Sequence, residues 1–225
     1  MRTFSLYLLL TMSMIASSFK FSFLRTAKTL TIPRMSSSAA EVMKVLVPIA
    51  NGSEEIESVT IMNTLVRAGA TVTSASIEDS LQITGSRGIK IVADKLIGEC
   101  TSDSWDLIAC PGGMPGAERL RDSPVLQQLL LKQSSESKPL AAVCASPAVV
   151  LSPLGLLDGI TATGYPAPKF ISAIPNYSQE LVVVDGNIIT SQGPATTLLF
   201  ALKLVEILFG AEKADEIGKA MLVNK

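Results

Sequence analysis

The sequence predicts an α/β protein built on a mostly parallel sheet with helices on both faces. Three observations carry this. Short runs of β-branched and large apolar residues alternate along the chain with longer helical stretches, turns rich in glycine and asparagine separate them, and no internal repeat, low-complexity tract or second domain breaks the order.

The elements follow in sequence. Lys44-Val-Leu-Val-Pro-Ile-Ala50 reads as a buried strand. Asn51-Gly-Ser-Glu54 reads as a turn in which Asn51 caps a helix and Glu54, at its third position, completes a capping box; the helix runs to Arg67 and stops at Gly69. Strands are expected over 71–77, 89–93 and 106–109, a helix over 123–133, and a strand over 140–143. Pro147 opens the next helix, because the first helical turn has no use for the N–H that proline lacks. A strand over 160–163 follows, then a hairpin of 180–185 and 187–190 around Asp185-Gly186. Two helices, 195–209 and 211–221, are split by Gly210.

With 225 residues, 48% hydrophobic and 17% charged, the chain holds one globular domain, residues 41–225, behind a segment of different character, residues 1–40. That segment has no Asp or Glu; Arg2, Lys20, Arg25, Lys28 and Arg34 make it basic, and Leu6 to Ala16 form an apolar run. The run falls short of the roughly 20 residues that span a bilayer. It reads as a targeting segment, a signal-peptide-like core leading a transit-like stretch, which favours a plastid address. Secretion, mitochondrial import, or a cytosolic protein initiated at Met35 are the alternatives. The remainder carries 14 basic and 20 acidic residues, net −6, a balance against a general nucleic-acid surface or stable nucleic-acid complex. No membrane association is expected of the mature part.

Three cysteines, at 100, 110 and 144, form no disulfide framework. There is no histidine, which excludes Ser-His-Asp and Cys-His catalysis and histidine-ligated zinc within one chain. Any proton transfer falls to a carboxylate, a lysine, a tyrosine or water.

Three strand ends carry unusual residues: Asn51 to Glu57, Cys110-Pro-Gly-Gly113, and Val143-Cys144-Ala145. In a parallel sheet these ends share one edge and can converge. Cys144 stands at a strand-to-helix junction, where a helix dipole favours a thiolate; a small buried hydrophobe also fits the position. Glu57 lies past the cap and is the candidate acid or base, although its sector, shared with Thr60, Ile61 and Thr64, also fits a solvated or partner-facing side. Glu54 and Glu55 fit the helix dipole without another role. Gly112 and Gly113 can present bare N–H groups or form an ordinary turn. Gly164-Tyr-Pro166 and Gln192-Gly-Pro194 can line the same crevice or be turns. The spacing from Gly112 to Gly116 is no dinucleotide fingerprint and no phosphate loop follows, so neither a nucleotide cofactor nor a metal is expected.

Together, Gly52-Ser-Glu-Glu-Ile-Glu57, Cys110-Pro-Gly-Gly113, Ala141-Ala-Val-Cys-Ala145 and Thr190-Ser-Gln-Gly-Pro194 resemble the ThiJ/PfpI family, in particular its Parkinsonism-associated deglycase branch, over about residues 43–223. The resemblance implies a flavodoxin-like three-layer sandwich, a homodimer, and a nucleophilic Cys144 on a strained elbow beside a protonated Glu57. It implies oxyanion donors at the backbone N–H groups of Gly113 and Ala145. It also implies anion or pocket contacts at Arg67, Arg87, Gly112, Tyr165 and Pro194. Many relatives place a histidine in the segment that here reads Ala162-Thr-Gly-Tyr-Pro166; its absence speaks against peptidase chemistry and favours the bacterial-type deglycase and chaperone-like subgroup.

The expected function is therefore a cofactor-independent deglycase or glyoxalase-type hydrolase acting on methylglyoxal, glyoxal, or early adducts on amines and thiols. The alternative is a redox-sensing holdase whose cysteine is oxidised to sulfinate. A bare flavodoxin-like binding module fits less well, with one Trp and three Tyr to hold a flavin.

Overall fold

Seven strands form the central sheet of the computed structural model, which describes residues 42–223; the expected targeting segment lies outside the described residues. In chain order the elements are β1 (Lys44–Ile49), α1 (Glu55–Ala68), β2 (Thr71–Ser76), β3 (Gln82–Thr84), β4 (Lys90–Val92), β5 (Lys95–Leu96), β6 (Leu107–Cys110), α2 (Gly116–Asp122), α3 (Pro124–Ser135) and β7 (Leu140–Val143). There follow β8 (Thr161–Ala162), α4 (Pro168–Ile171), β9 (Asn176–Tyr177), β10 (Val182–Asp185), β11 (Ile188–Ser191), α5 (Thr197–Phe209) and α6 (Ala211–Ala220).

The sheet order is β10-β11-β7-β6-β1-β2-β5, parallel throughout except for the β10–β11 hairpin. Strands β6 and β7 are buried along their whole length and β1 from Val45 onward, which explains their unbroken apolar runs: helices cover both faces, so no side faces water; β11 is equally buried although it ends in Thr190 and Ser191. On the helical layers, α1, α5 and α6 pack together, and α2 packs on α3 and on the turn after Cys144. This is the flavodoxin-like sandwich expected. The chain leaves β1 toward β2 on one side, while β6 lies on the other, so β1 and β6 flank a topological switch point, where open α/β sheets form crevices. Among the described residues no helix is long and apolar enough to cross a membrane.

Several local expectations are corrected. Asn51 does not cap α1: Glu54 does, its carboxylate accepting from the Glu57 N–H at 2.7 Å, while Asn51 accepts from the Thr84 N–H at 2.8 Å. The strand expected at 89–93 pairs only with β3, in a hairpin outside the main sheet, and the edge position beyond β2 goes to β5. Likewise β8 pairs with β9 rather than with the sheet. The helix expected from Pro147 is a π-helical turn, Pro147–Leu151, followed by a 3-10 turn, Ser152–Leu154. Pro153 has no N–H to continue an α-helical ladder, and Gly155 ends the turn in the left-handed region. At the C-terminal side, Pro194–Thr196 is a 3-10 turn and α5 begins at Thr197.

Candidate functional site

Strand β7 ends at Val143, and the next residue, Cys144, has φ +63°, a conformation that costs a non-glycine residue roughly 1–3 kcal/mol. Hydrogen bonds hold it there. The Cys144 N–H continues the ladder to the Ser191 carbonyl at 3.0 Å, and the Cys144 carbonyl accepts from the Tyr165 N–H at 2.7 Å. Ser146, buried two residues on, donates its hydroxyl to the Pro111 carbonyl at 2.6 Å and so ties the turn to the loop after β6. That loop comes as close as a backbone can. A Cβ on Gly112 would sit 2.6 Å from the Cys144 Cβ and 2.9 Å from the Ala145 nitrogen, so only glycine fits.

Helix α1 delivers Glu57. Its first turn is pinned by the Glu54 cap, and the Glu54 N–H donates to the Gly112 carbonyl at 2.9 Å. The Glu57 side chain is fully buried. This corrects the solvated alternative: Glu57 shares its sector with Ile61 and Thr64, which are also fully buried, because this stripe of α1 faces inward. One carboxyl oxygen, Oε2, accepts from the Gly112 N–H at 2.7 Å. The other, Oε1, is buried without a hydrogen bond of good geometry, while the Cys144 thiol lies within interacting reach of the carboxyl. The three strand ends thus converge.

The electrostatics couple the pair. Burial pushes the Glu57 carboxyl up to about 7, against the lowering pull of the Gly112 N–H and the Cys144 thiol, with the nearby Glu54 charge raising it further. Burial and the Glu57 charge push the Cys144 thiol up to about 12, opposed by the backbone N–H groups of Gly113 and Ala145, which favour thiolate. Protonating Glu57 removes the repelling charge and converts the carboxyl from a competitor for the thiol proton into a donor facing the sulfur. The two groups therefore titrate as one unit. Cys144 is 9% exposed, at the margin of the buried core.

The other sequence candidates scatter. Gly112, Gly113 and Ala145 belong to the cluster. Tyr165 joins it through its backbone N–H; its ring is half-exposed, edge-on to Phe170 at 6.1 Å, and next to Gly193, whose missing Cβ would lie 3.5 Å away. Pro194 opens the turn just beyond. Arg67 is not brought in: it lies in the last turn of α1, ten residues or about 15 Å from Glu57, bonded to Asn63. Arg87 sits on the exposed loop of the β3–β4 hairpin and enters only through its N–H, which donates to Glu55 at 2.7 Å. Sequence reasoning missed Ser146 and the contacts of Glu55, since neither a serine in a turn nor a glutamate in a first helical turn stands out. Clefts of about 540 Å3 between α5 and α6 and about 680 Å3 beside α2 touch neither Cys144 nor Glu57.

A strained cysteine at a strand end, backed by a buried glutamate at the switch point of a mostly parallel sheet, defines a histidine-free thiol site on a flavodoxin-like scaffold. The chain belongs to the DJ-1/PfpI family, which it matches over residues 43–207. It is similar to the Arabidopsis thaliana protein DJ-1 homolog B, 47% identical over 180 residues, covering 80% of this chain and 41% of that protein, so it spans less than half of that relative's length. Its fold is similar to that of oxidized Toxoplasma gondii DJ-1, with a TM-score of 0.80 and 47% identity, covering 82% of this chain and all of that one. A Caenorhabditis elegans relative, 31% identical over 187 residues, with 83% of this chain and 100% of that protein covered, is named glutathione-independent glyoxalase DJR-1.2.

Proposed function

We propose that the protein is a cofactor-independent glyoxalase and deglycase that converts methylglyoxal and glyoxal, or their early adducts, to hydroxy acids through Cys144. The observation that carries this is the pairing of a strained thiol with a buried carboxyl held near neutrality. With Glu57 protonated and Cys144 as thiolate, the sulfur adds to the aldehyde carbon and Glu57 gives its proton to the new alkoxide, forming a hemithioacetal. The Gly113 and Ala145 N–H groups stabilise developing negative charge. The Glu57 carboxylate then moves the proton from the first carbon to the second, leaving a thioester, and water releases lactate and the thiol. On an adduct, whose first carbon already carries a hydroxyl, the sulfur displaces the bound group: the bond from that carbon to the amine or thiol breaks as the bond to sulfur forms, the leaving group takes the Glu57 proton, and the same hemithioacetal results. The name of the C. elegans relative supports the class of reaction.

Purified protein given methylglyoxal without glutathione is expected to make lactate, and Cys144→Ala to lose this by a factor on the order of 10^3 or more. No lactate from the unaltered protein, or equal rates after Cys144→Ala, overturns the proposal. The working form is a homodimer: Ile56, Val59 and Val66 of α1, with Ile89 and Val92 of the hairpin, leave apolar side chains exposed. A monomeric mass by light scattering would contradict this. We assign the segment 1–40 to plastid targeting.

A second reading has its own support in the two N–H groups at the sulfur, which suit the oxygens of a sulfinate. In it, Cys144 records oxidation and alters holdase binding; peroxide uptake, thiol by thiol, tests it.

A further inference from the structure

Hairpin β3–β4 stands outside the main sheet, and the segment leading into α1 fastens it. The Gly52 N–H donates to the Thr84 carbonyl, the Thr84 N–H to Asn51 Oδ1, and the Ser86 N–H to the Ser53 carbonyl, each at 2.8 Å. Glu55 closes the far end. Buried at 4% exposure, its carboxylate accepts from the Arg87 N–H at 2.7 Å, the Ser86 hydroxyl at 3.0 Å and the Ile89 N–H at 3.3 Å. Burial alone would raise this carboxyl, yet these donors, together with the residue's own backbone N–H, hold it below its ordinary value. The loop wraps the side chain so closely that a Cβ on Gly85 would collide with the Glu55 carboxyl. The contacts to the hairpin do not serve helix capping, which Glu54 performs.

From Glu55 the path to the sulfur is short. The neighbouring Glu54 bonds both to Gly112 and to the Glu57 N–H, Glu57 bonds back to the Gly112 N–H, and Gly112 abuts Cys144. We infer that Glu55 is a positioning residue for the Cys144–Glu57 pair: by seating the hairpin on the first turn of α1, it fixes how the Glu57 carboxyl meets the Cys144 sulfur. This rests on reading that pair as the reacting site. A site whose proton is shared across one contact is sensitive to displacements well below an ångström, whereas a purely structural latch would change melting and leave the thiol's behaviour alone.

The test uses Glu55→Ala and Gly85→Ala, singly and together, in the full chain. The readout is the pH profile of Cys144 alkylation by iodoacetamide, followed by mass spectrometry, with melting recorded alongside. Each single variant is expected to change the alkylation rate at pH 7 by about three-fold or more and to move the midpoint of the profile. In the double variant the added methyl at position 85 meets no carboxylate, so Gly85→Ala adds little to Glu55→Ala. A folded Glu55→Ala protein with an unaltered profile overturns the inference. If Glu55→Ala does not fold, Gly85→Ala decides: a moved midpoint supports the inference and an unaltered one overturns it. Alkylation needs no turnover, so its outcome is separate from whether lactate forms.

Discussion

The ends of β6 and β7 lie side by side at one edge of the sheet, and each presents a cysteine. Cys110 is the last residue of β6, sits opposite Ala142 of β7, and is fully buried. Cys144 is one step past its strand, in the left-handed region, with its residue just reaching solvent. Burial pushes both thiols up to about 12, yet the reasons differ. For Cys110 burial is the whole cause, and no proton movement nearby can relieve it. For Cys144 part of the cause is the Glu57 charge, and the Gly113 and Ala145 N–H groups pull the other way. A strand end alone therefore does not set a thiol beside a proton partner. The single left-handed residue does, by turning the side chain out of the sheet toward a carboxyl and two N–H groups.

Removing that carboxyl is the larger way to break the contrast. Glu57→Gln keeps the shape and an acceptor for the Gly112 N–H but cannot exchange protons, so lactate formation is expected to fall roughly 10^2- to 10^4-fold. Stability should move the other way, and with pH. In the unfolded chain the pair gives up its first proton at the ordinary carboxyl value of 4.5; folded, it keeps it to about 7. Between those values the native state holds more protons, so the pair's stabilisation is complete below pH 4.5 and is lost as pH rises through 7. The loss approaches about 3 kcal/mol above pH 7, an upper figure from the size of the shift. The melting temperature of Glu57→Gln relative to the parent should thus rise between pH 5 and pH 8. An equal difference at both pH values would show that the carboxyl is not held protonated, and the distinction between the two strand ends would narrow to exposure.

Much of this is legible in the sequence. The alternation of apolar runs and helices specifies the layers, and Gly69, Gly210 and the Asp185-Gly186 turn mark boundaries where the structure has them. The convergence of three loops follows from parallel strands sharing an edge. What the sequence hides is decided by tertiary contacts. Asn51 has the right chemistry for a helix cap, but its side chain is taken by Thr84, 33 residues away, and the cap passes to Glu54. That shift puts Glu57 in the first turn, and the packing of α1 on β1 and α5 makes its sector an inward one. Glu55 reads as an ordinary dipole residue because its donors come from a hairpin that residue spacing cannot place. The left-handed backbone at Cys144 has no local signature either, since neither neighbour is glycine; the Ser191 and Tyr165 hydrogen bonds impose it.

A smaller effect sharpens the same contrast without altering a residue. Peroxide takes two electrons from a thiolate, which becomes a sulfenate as one oxygen leaves in water; a second equivalent carries it to the sulfinate. The reaction needs thiolate and access together. Cys110 has neither: it is wholly enclosed and held protonated. Cys100 is fully buried as well, and its thiol is raised, first by burial, with the Asp103 and Glu99 charges adding to it and Lys95 opposing. Cys144 has a route to each, since its residue reaches solvent and its proton can be held by Glu57. Intact mass and peptide mapping under mild peroxide should find two oxygens on Cys144 while Cys100 and Cys110 carry none, with initial rates apart by about ten-fold or more. If Cys110 gains oxygen as early as Cys144, the end of β6 is as open as the end of β7, and the left-handed turn confers no chemistry of its own.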